Sequence, residues 1–554
     1  MKTNYIYHFV ALLLGSILLG ACDQQSPREE PIDKSGTRTS MHFAVRVTTD
    51  PILRGVNQKQ KDEPGTAKEQ TIKQGLVLIK GLSSMPANLT EESTGIWKSA
   101  LMELPAEIQS SVQMTLLLNN NSLGRLGDAD FTKAREIELK DLLSYAGIEK
   151  EGMLMTTTVE NQDTNNVTID SSATATEVLQ GSKNNYSFEV ERVVAKVQIT
   201  KSSSVTAELK DVGTLKFPLT YSMAGSAKKA YLFRDHAGSR TLSENSPNVY
   251  KDYISLIDDK TVSPEWDPKK GHPFLQRVSD KEGEAYILNG YYRNPKEVKD
   301  GGADRVSIDG GFYFLENSMY GNNKVASKKG EIKYNRIAYA KVYTKLNEIK
   351  GWKLTENGKE IERGTWNSQS KVRKYYVPVP DDWFKRMRQL HPDWWHNKLE
   401  FIFSWDGLGG NSFQIEDAPN TFYYCEDDGE IFDTARAAYI YYKGFPKNLR
   451  KYEEGRMVYL IPLNRQLDGA KGFVNYCDTR RNNIYDLNIA SINSIGLNHD
   501  PVDPDDPNIP KPEDNPFEPP TDPQIPVEEG DYLMRITAKI LKWNLVEKHY
   551  ALWD

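Results

Sequence analysis

Pro501 to Pro526 is the stretch that most limits what this chain can become. Its 26 residues are mostly Pro, Asp, Asn and Glu, a composition that cannot bury a core and that favours extended, semi-rigid backbone. At roughly 3.1 Å per residue in the polyproline conformation, such a tract spans on the order of 80 Å. The chain continues past it. In Asp531 to Asp554, the residues Tyr532, Met534, Ile536, Ala538 and Ile540 alternate with Leu533, Arg535, Thr537 and Lys539, and Trp543 follows. That is the period of a strand. A single strand on a tether has no sheet of its own and must join one elsewhere.

The other end repeats the arrangement. Lys2, the apolar run Phe9 to Leu19 and the sequence Leu19-Gly20-Ala21-Cys22 read as a signal peptide closed by a lipobox, with Cys22 as the lipidated first residue of an outer-membrane lipoprotein precursor. Residues 1–22 are therefore signal peptide with its lipobox. Residues 23–39 are polar, and the 17 of them reach at most about 55 Å when extended. Within residues 40–49, Met41, Phe43, Val45 and Val47 alternate with His42, Ala44, Arg46 and Thr48, again the pattern of a half-buried strand. Asp50-Pro51 ends it. Arg54 and Gly55 then open a Lys-, Gln- and Glu-rich stretch that reads as an accessible loop.

Between these ends, the formal charge of −7 gives no nucleic-acid footprint, and the 29 Tyr, 18 Phe and 10 Trp favour sheets. No second apolar segment approaches the roughly 20 residues of a membrane span. Strand patterns recur at Gly75–Leu82, Ser111–Asn119, Tyr186–Lys201, Ile337–Leu346, Lys374–Pro380, Ala435–Gly444, Arg456–Asn464 and Arg481–Gly496. The last of these alternates with one slip. Helical spacing is confined to Ala129–Gly147 and a short start at Asp381. Turn chemistry near residue 225 divides the body into 40–225 and 226–499, with a linker at 500–530 and a tail strand at 531–554.

Chemistry is sparse. His391 and His396 are interrupted by Pro392 and read as an aromatic turn rather than a metal site. Cys425 to Glu430 lacks the ligand alternation of a calcium loop and reads as a hairpin turn. No nucleophile elbow, phosphate loop or zinc-protease motif occurs, so no catalytic residue, metal or cofactor is assigned. Asp433-Thr434-Ala435 matches a three-residue O-glycosylation sequon. Cys425 and Cys477 lie in an exported chain, where they can either pair or remain thiols.

Taken together, "VERVVAKVQIT", "SAKKAYLF", "RRNNIYDLNIASINSIG" with its Pro/Asp tract, and "MRITAKILKWNLVEKHYAL" resemble the fimbrillins of Bacteroidota, in particular the Mfa-type shaft subunit of short fimbriae. Residues 240–330 and 350–435 match less clearly. The resemblance implies a mainly β protein: two tandem transthyretin-like β-sandwich domains with a few short helices, no enzymatic activity, and polymerisation at the cell surface after an arginine-specific protease trims the N-terminus. Carried onto this chain, the cut falls at Arg54–Gly55, since Arg38 would leave the strand attached and Arg46 sits in a ladder. The released strand carries Met41, Phe43, Val45 and Val47, and the donor strand of a neighbouring subunit carries Tyr532 through Trp543. Implied partners are identical or homologous subunits, the protease, the outer membrane through the precursor's lipid, and host or bacterial surface ligands. An anchor or tip component of the same fimbria, or a surface carbohydrate-binding lipoprotein using Trp383, Trp394 and Trp395, are the other readings.

Overall fold

The computed structural model describes residues 41–48, 66–80, 84–93, 96–104, 110–120, 136–138, 142, 152–157, 166–226, 229–232, 235–236, 253–254, 291–301, 311–315, 337–367, 372–379, 401–403, 411–444, 446, 448–463, 479, 481–500, 506, 508–509, 534–542 and 549–551. They form a mainly β protein with sheets packed face to face, as the aromatic and β-branched composition predicts.

The elements that matter for function are, in chain order, β1 (Met41–Thr48), α1 (Ala67–Gln70), β2 (Gly75–Ile79), β3 (Ile96–Ser99), β4 (Met102–Leu104), β5 (Ser111–Leu118), β6 (Met155–Thr157), β7 (Asn185–Arg192) and β8 (Ala195–Lys201). They continue with β9 (Phe312–Phe314), β10 (Tyr339–Leu354), β11 (Phe422–Cys425), β12 (Ile431–Phe432), α2 (Ala435–Tyr442), β13 (Arg456–Pro462), β14 (Asn483–Ile492), β15 (Met534–Lys542) and β16 (His549–Ala551). The first sheet runs β2, β5, β6, β7, β1, β3, with short strands outside it. A second sheet places β8 and β14 side by side in parallel, then β15 and β16. A third is organised around β10, whose 16 residues pair with β13 over one stretch and with Ile361–Asn367 over another.

The expected single strand Tyr186–Lys201 is two strands in two sheets. β7 ends at Arg192, and after Val193 and Val194, exposed by 0% and 2%, β8 joins β14 instead. The change of sheet therefore comes some thirty residues before the division expected near residue 225. The sequence does not show the crossing, because Lys196, Gln198 and Thr200 alternate with apolar residues as on a half-exposed strand, yet both faces of β8 are buried. Asn482 marks it: its Oδ1 accepts from the Arg192 amide at 3.1 Å, and its own amide donates to the Val194 carbonyl at 2.9 Å. One hydrophobic core runs through both regions, from Ile72 and Val77 to Ile492 and Ile495.

Two further expectations fail locally. Glu136–Glu138, inside the stretch expected to be helical, is a strand paired with Lys229–Tyr231, so a tertiary ladder overrides local spacing. Ala435–Tyr442, expected as a strand, is α2. Thr434 caps it, its hydroxyl accepting from the Ala437 amide at 3.1 Å, and Lys443 ends it in the left-handed region at φ 55°. Its small residues Ala435, Ala437 and Ala438, all 0% exposed, bring the helix against Val377, Tyr423 and Phe432 in a second, separate core.

Candidate functional site

β1 lies in the interior of the first sheet. It pairs parallel with β7 on one side and antiparallel with β3 and β4 on the other. Its register preserves the alternation read from the sequence. Met41 and Phe43 stand opposite Leu104 and Met102, both buried, while His42 stands opposite exposed Glu103. Val47 stands opposite Phe188, exposed by 3%, and Arg46 opposite exposed Ser187. Without this strand, β7 would lose its parallel partner and β3 and β4 their antiparallel one, leaving rows of unpaired N–H and C=O groups beside an apolar floor.

The chain after β1 is fixed by a different set of contacts. Thr66 and Glu69 form a capping box on α1, the Thr66 amide donating to the Glu69 carboxylate at 2.7 Å. The same carboxylate accepts from Lys196 Nζ at 2.8 Å and the Tyr313 hydroxyl at 2.6 Å, and Arg192 Nε donates to the Glu69 carbonyl at 3.1 Å. Burial alone would raise the Glu69 carboxyl, but the charge and hydrogen bond of Lys196, with Tyr313 and Thr66, outweigh it and hold it below its ordinary value. This cluster ties α1 to β8 and β9, strands of the second sheet. Its hold does not depend on β1.

At the other end, β15 is paired antiparallel with β14 of its own chain, and β16 covers the far side of β15. Met534, Ile536, Ala538 and Ile540 stand opposite Ile492, Ile489, Leu487 and Tyr485, all buried. The register shifts between Ile489 and Ser491, a bulge that accounts for the slip in the sequence pattern.

The residues joining β14 to the Pro/Asp tract are part of the core. Leu497 bridges Val458, and the Asn498 amide side chain donates to the Lys451 carbonyl at 3.0 Å. Asp500, Asp506 and Ile509, expected within the linker, are exposed by only 1%, 2% and 4%. The two aspartates meet Lys341 of β10, a lysine exposed by 0%. Lys341 Nζ donates to Asp506 at 2.7 Å and lies 3.4 Å from Asp500. The Tyr343 hydroxyl donates to Asp506 at 2.7 Å, and that of Tyr339 to Asp500 at 3.2 Å. Sequence reasoning missed this group because the aspartates sat in a stretch that read as solvated spacer. The available signal was Lys341: a cation in the middle of a core strand requires buried counter-charge.

Of the other residues singled out, Cys22, Arg54, Gly55, Tyr532, Trp543, Cys477, Trp383, Trp394, Trp395, His391 and His396 lie outside the described residues. Cys425 is a buried, free thiol, and burial pushes its pKa up. The Cys425–Glu430 segment is the hairpin turn between β11 and β12. Thr434 is exposed by 3% and its hydroxyl caps α2, so the sequon there is closed to a glycan in this fold. Among the described residues, no three or more His, Cys, Asp or Glu are grouped to hold a metal ion.

Residues 450–549 match the family model described as major fimbrial subunit protein type IV, fimbrillin, C-terminal. No curated protein matches the sequence. Among solved structures, the chain is similar to a cell adhesion protein of Parabacteroides distasonis at 11% identity and a TM-score of 0.38, covering 92% of this chain and 99% of that one. It is similar to a fimbrilin of Porphyromonas gingivalis at 13% identity and 0.35, covering 92% and 98%. It is also similar to the tip fimbrial protein Mfa3 of Porphyromonas gingivalis at 10% and 0.30, covering 81% and 95%. The matched residues 450–549 hold β13, β14, the Asp500–Asp506 group and β15, and over this stretch the chain is similar to the C-terminal region of fimbrillins.

Proposed function

We propose that this chain is a structural subunit of a cell-surface fimbria, exported as a lipoprotein precursor through Cys22 and activated by an arginine-specific protease cutting at Arg54–Gly55. The observation that carries the reading is the place of β1: an N-terminal strand in an interior slot, paired on both sides. Four side chains on its apolar face contribute a gross ~6–12 kcal/mol at roughly 1.5–3 kcal/mol each, before ordering entropy is subtracted. While the strand is covalently tethered it acts at an effective concentration on the order of millimolar and outcompetes a strand from another molecule. Cutting the tether removes that advantage.

The occupant that replaces it is the tail strand of a neighbour, delivered by the Pro/Asp tract. Donor and acceptor occupy different places on the molecule, so the contact is head-to-tail and propagates as a filament. The Glu69–Lys196–Arg192 cluster keeps the rest of the chain in place once the first strand has gone. Adhesion to host or bacterial surfaces is then the filament's role.

The test treats chain lacking residues 1–22 with an arginine-specific protease and reads unheated detergent gels. A ladder of multimers is expected from the wild type and none from Arg54→Ala. Ladders of equal intensity from both would overturn the assignment of the cut.

A further inference from the structure

We propose that Lys341 and Asp506 are joined by a covalent amide, formed by the chain itself, with Asp500 as the proton-transferring partner. Three features of the site lead to this. The two groups that must react are already in contact, Lys341 Nζ to Asp506 Oδ2 at 2.7 Å. A second carboxylate, Asp500, stands 3.4 Å from the same nitrogen. Lys341, Asp500 and Asp506 are exposed by 0%, 1% and 2%, so water neither competes for the nitrogen nor readily returns to hydrolyse the product.

The chemistry balances without any added reagent. In the resting contact, Asp506 is ionised: burial favours its neutral form, but the charge and hydrogen bond of Lys341, with Tyr343 and the Asn508 amide, hold it below its ordinary value. The reactive form is reached by moving one proton from the ammonium to the carboxylate, which yields an amine and a carboxylic acid. A low-dielectric site reduces the cost of that step, since the neutral pair has no charge to desolvate. The nitrogen lone pair attacks Cγ of Asp506, polarised by the Tyr343 hydroxyl at 2.7 Å, and the N–C bond forms. Asp500 takes the proton released by the nitrogen and returns one to the departing oxygen. The C–O bond breaks and one water leaves. Nothing is oxidised or reduced. Confinement of both groups on folded elements supplies the effective molarity that a bimolecular condensation lacks.

A second buried pair in the same chain sits in a different charge setting. Lys196 Nζ contacts Glu69 at 2.8 Å, with both side chains 1% exposed; the carboxylate also accepts from the Tyr313 hydroxyl and the Thr66 amide, while Arg192 donates to the Glu69 backbone carbonyl. The further charged group beside the pair, Arg192, is a cation and cannot take up the nitrogen's proton, so this pair stays ionic.

The bond has a mechanical consequence that rests on the fimbrial reading. In a filament linked by tails, tension enters each subunit's body where the Pro/Asp tract meets it, at Asp506 to Ile509. An amide to β10 anchors that point to the interior of the third sheet. The bond itself is a property of the single folded chain and can be measured whether or not filaments form.

The experiment is the mass of the folded, then denatured, full chain lacking residues 1–22, followed by tryptic mapping. Wild type is expected to be lighter than its sequence by one water, with Lys341 uncut and its peptide joined to the one carrying Asp506, while Lys196 is cut normally. Asp506→Ala and Lys341→Arg should restore the full mass, and Asp500→Asn should restore it wholly or slow its loss. A wild type of full mass with Lys341 cleaved overturns the proposal. So does a deficit that persists in Asp506→Ala.

Discussion

Single buried polar residues decide more of this fold than their number suggests. His499 is one of them. Its Nδ1 lies 2.8 Å from Asn498 Oδ1, and burial, reinforced by the charge of Arg450 and opposed by Asp500 and Glu426, brings its pKa down to about 4 from 6.5. As pH falls below 6.5 the unfolded chain takes up the proton first, so stability declines from there to about 4, below which both states carry it. At 1.36 kcal/mol per unit the loss is on the order of 3 kcal/mol. His499→Gln should flatten that slope in denaturant midpoints measured between pH 6.5 and 4; an unchanged slope would place the titration elsewhere. At this scale the sequence was only partly readable. The alternation of Met41 to Val47 and of Met534 to Ile540 has the period of a strand, and both segments are strands. Lys341, Asp500 and Asp506 were not paired in advance, because their contact joins positions more than a hundred and fifty residues apart.

For whole elements, alternation or a bounded apolar run was enough to place a strand but not to show where the chain changes sheet. β1, β2, β5, β13, β14 and β15 fall where alternation or a bounded apolar run places them. β7 and β8 merged into one, because the alternation runs on through Lys196, Gln198 and Thr200 and nothing in it marks the change of sheet. α2 was mistaken for a strand because Tyr439, Ile440, Tyr441 and Tyr442 have strand-like composition, and only Thr434 and the alanines gave its helical character away. That cap can be tested. Thr434→Ala removes the hydroxyl that accepts from Ala437 and donates to Asp433 at 3.0 Å, and should cost about 1 kcal/mol, read as a lower denaturant midpoint with the far-ultraviolet spectrum preserved. Loss of the spectrum would mean that the cap is required for folding rather than a local contribution to it.

For the whole molecule, both ends of the chain are strands fitted into sheets of the same body. β1 completes the first sheet from within, and β15 lies along β14. On the proposed fimbrial reading, β15 is the donor, held on the edge of its own sheet until an acceptor slot opens in a neighbour. The tract that composition marks as a spacer begins at Pro501. The burial of Asp500, Asp506 and Ile509 was not legible there, since they lie past the expected boundary at residue 499 and are still part of the core. The measurement that tests the account most directly uses chain that ends at Gly530, cut by the protease at Arg54, and a labelled peptide spanning residues 531–543. The cut chain is expected to bind the peptide in a complex stable on unheated detergent gels, and the uncut chain to show no such complex. Equal capture by cut and uncut chain, or none by either, would contradict the claim that the first strand vacates the slot which a tail then fills.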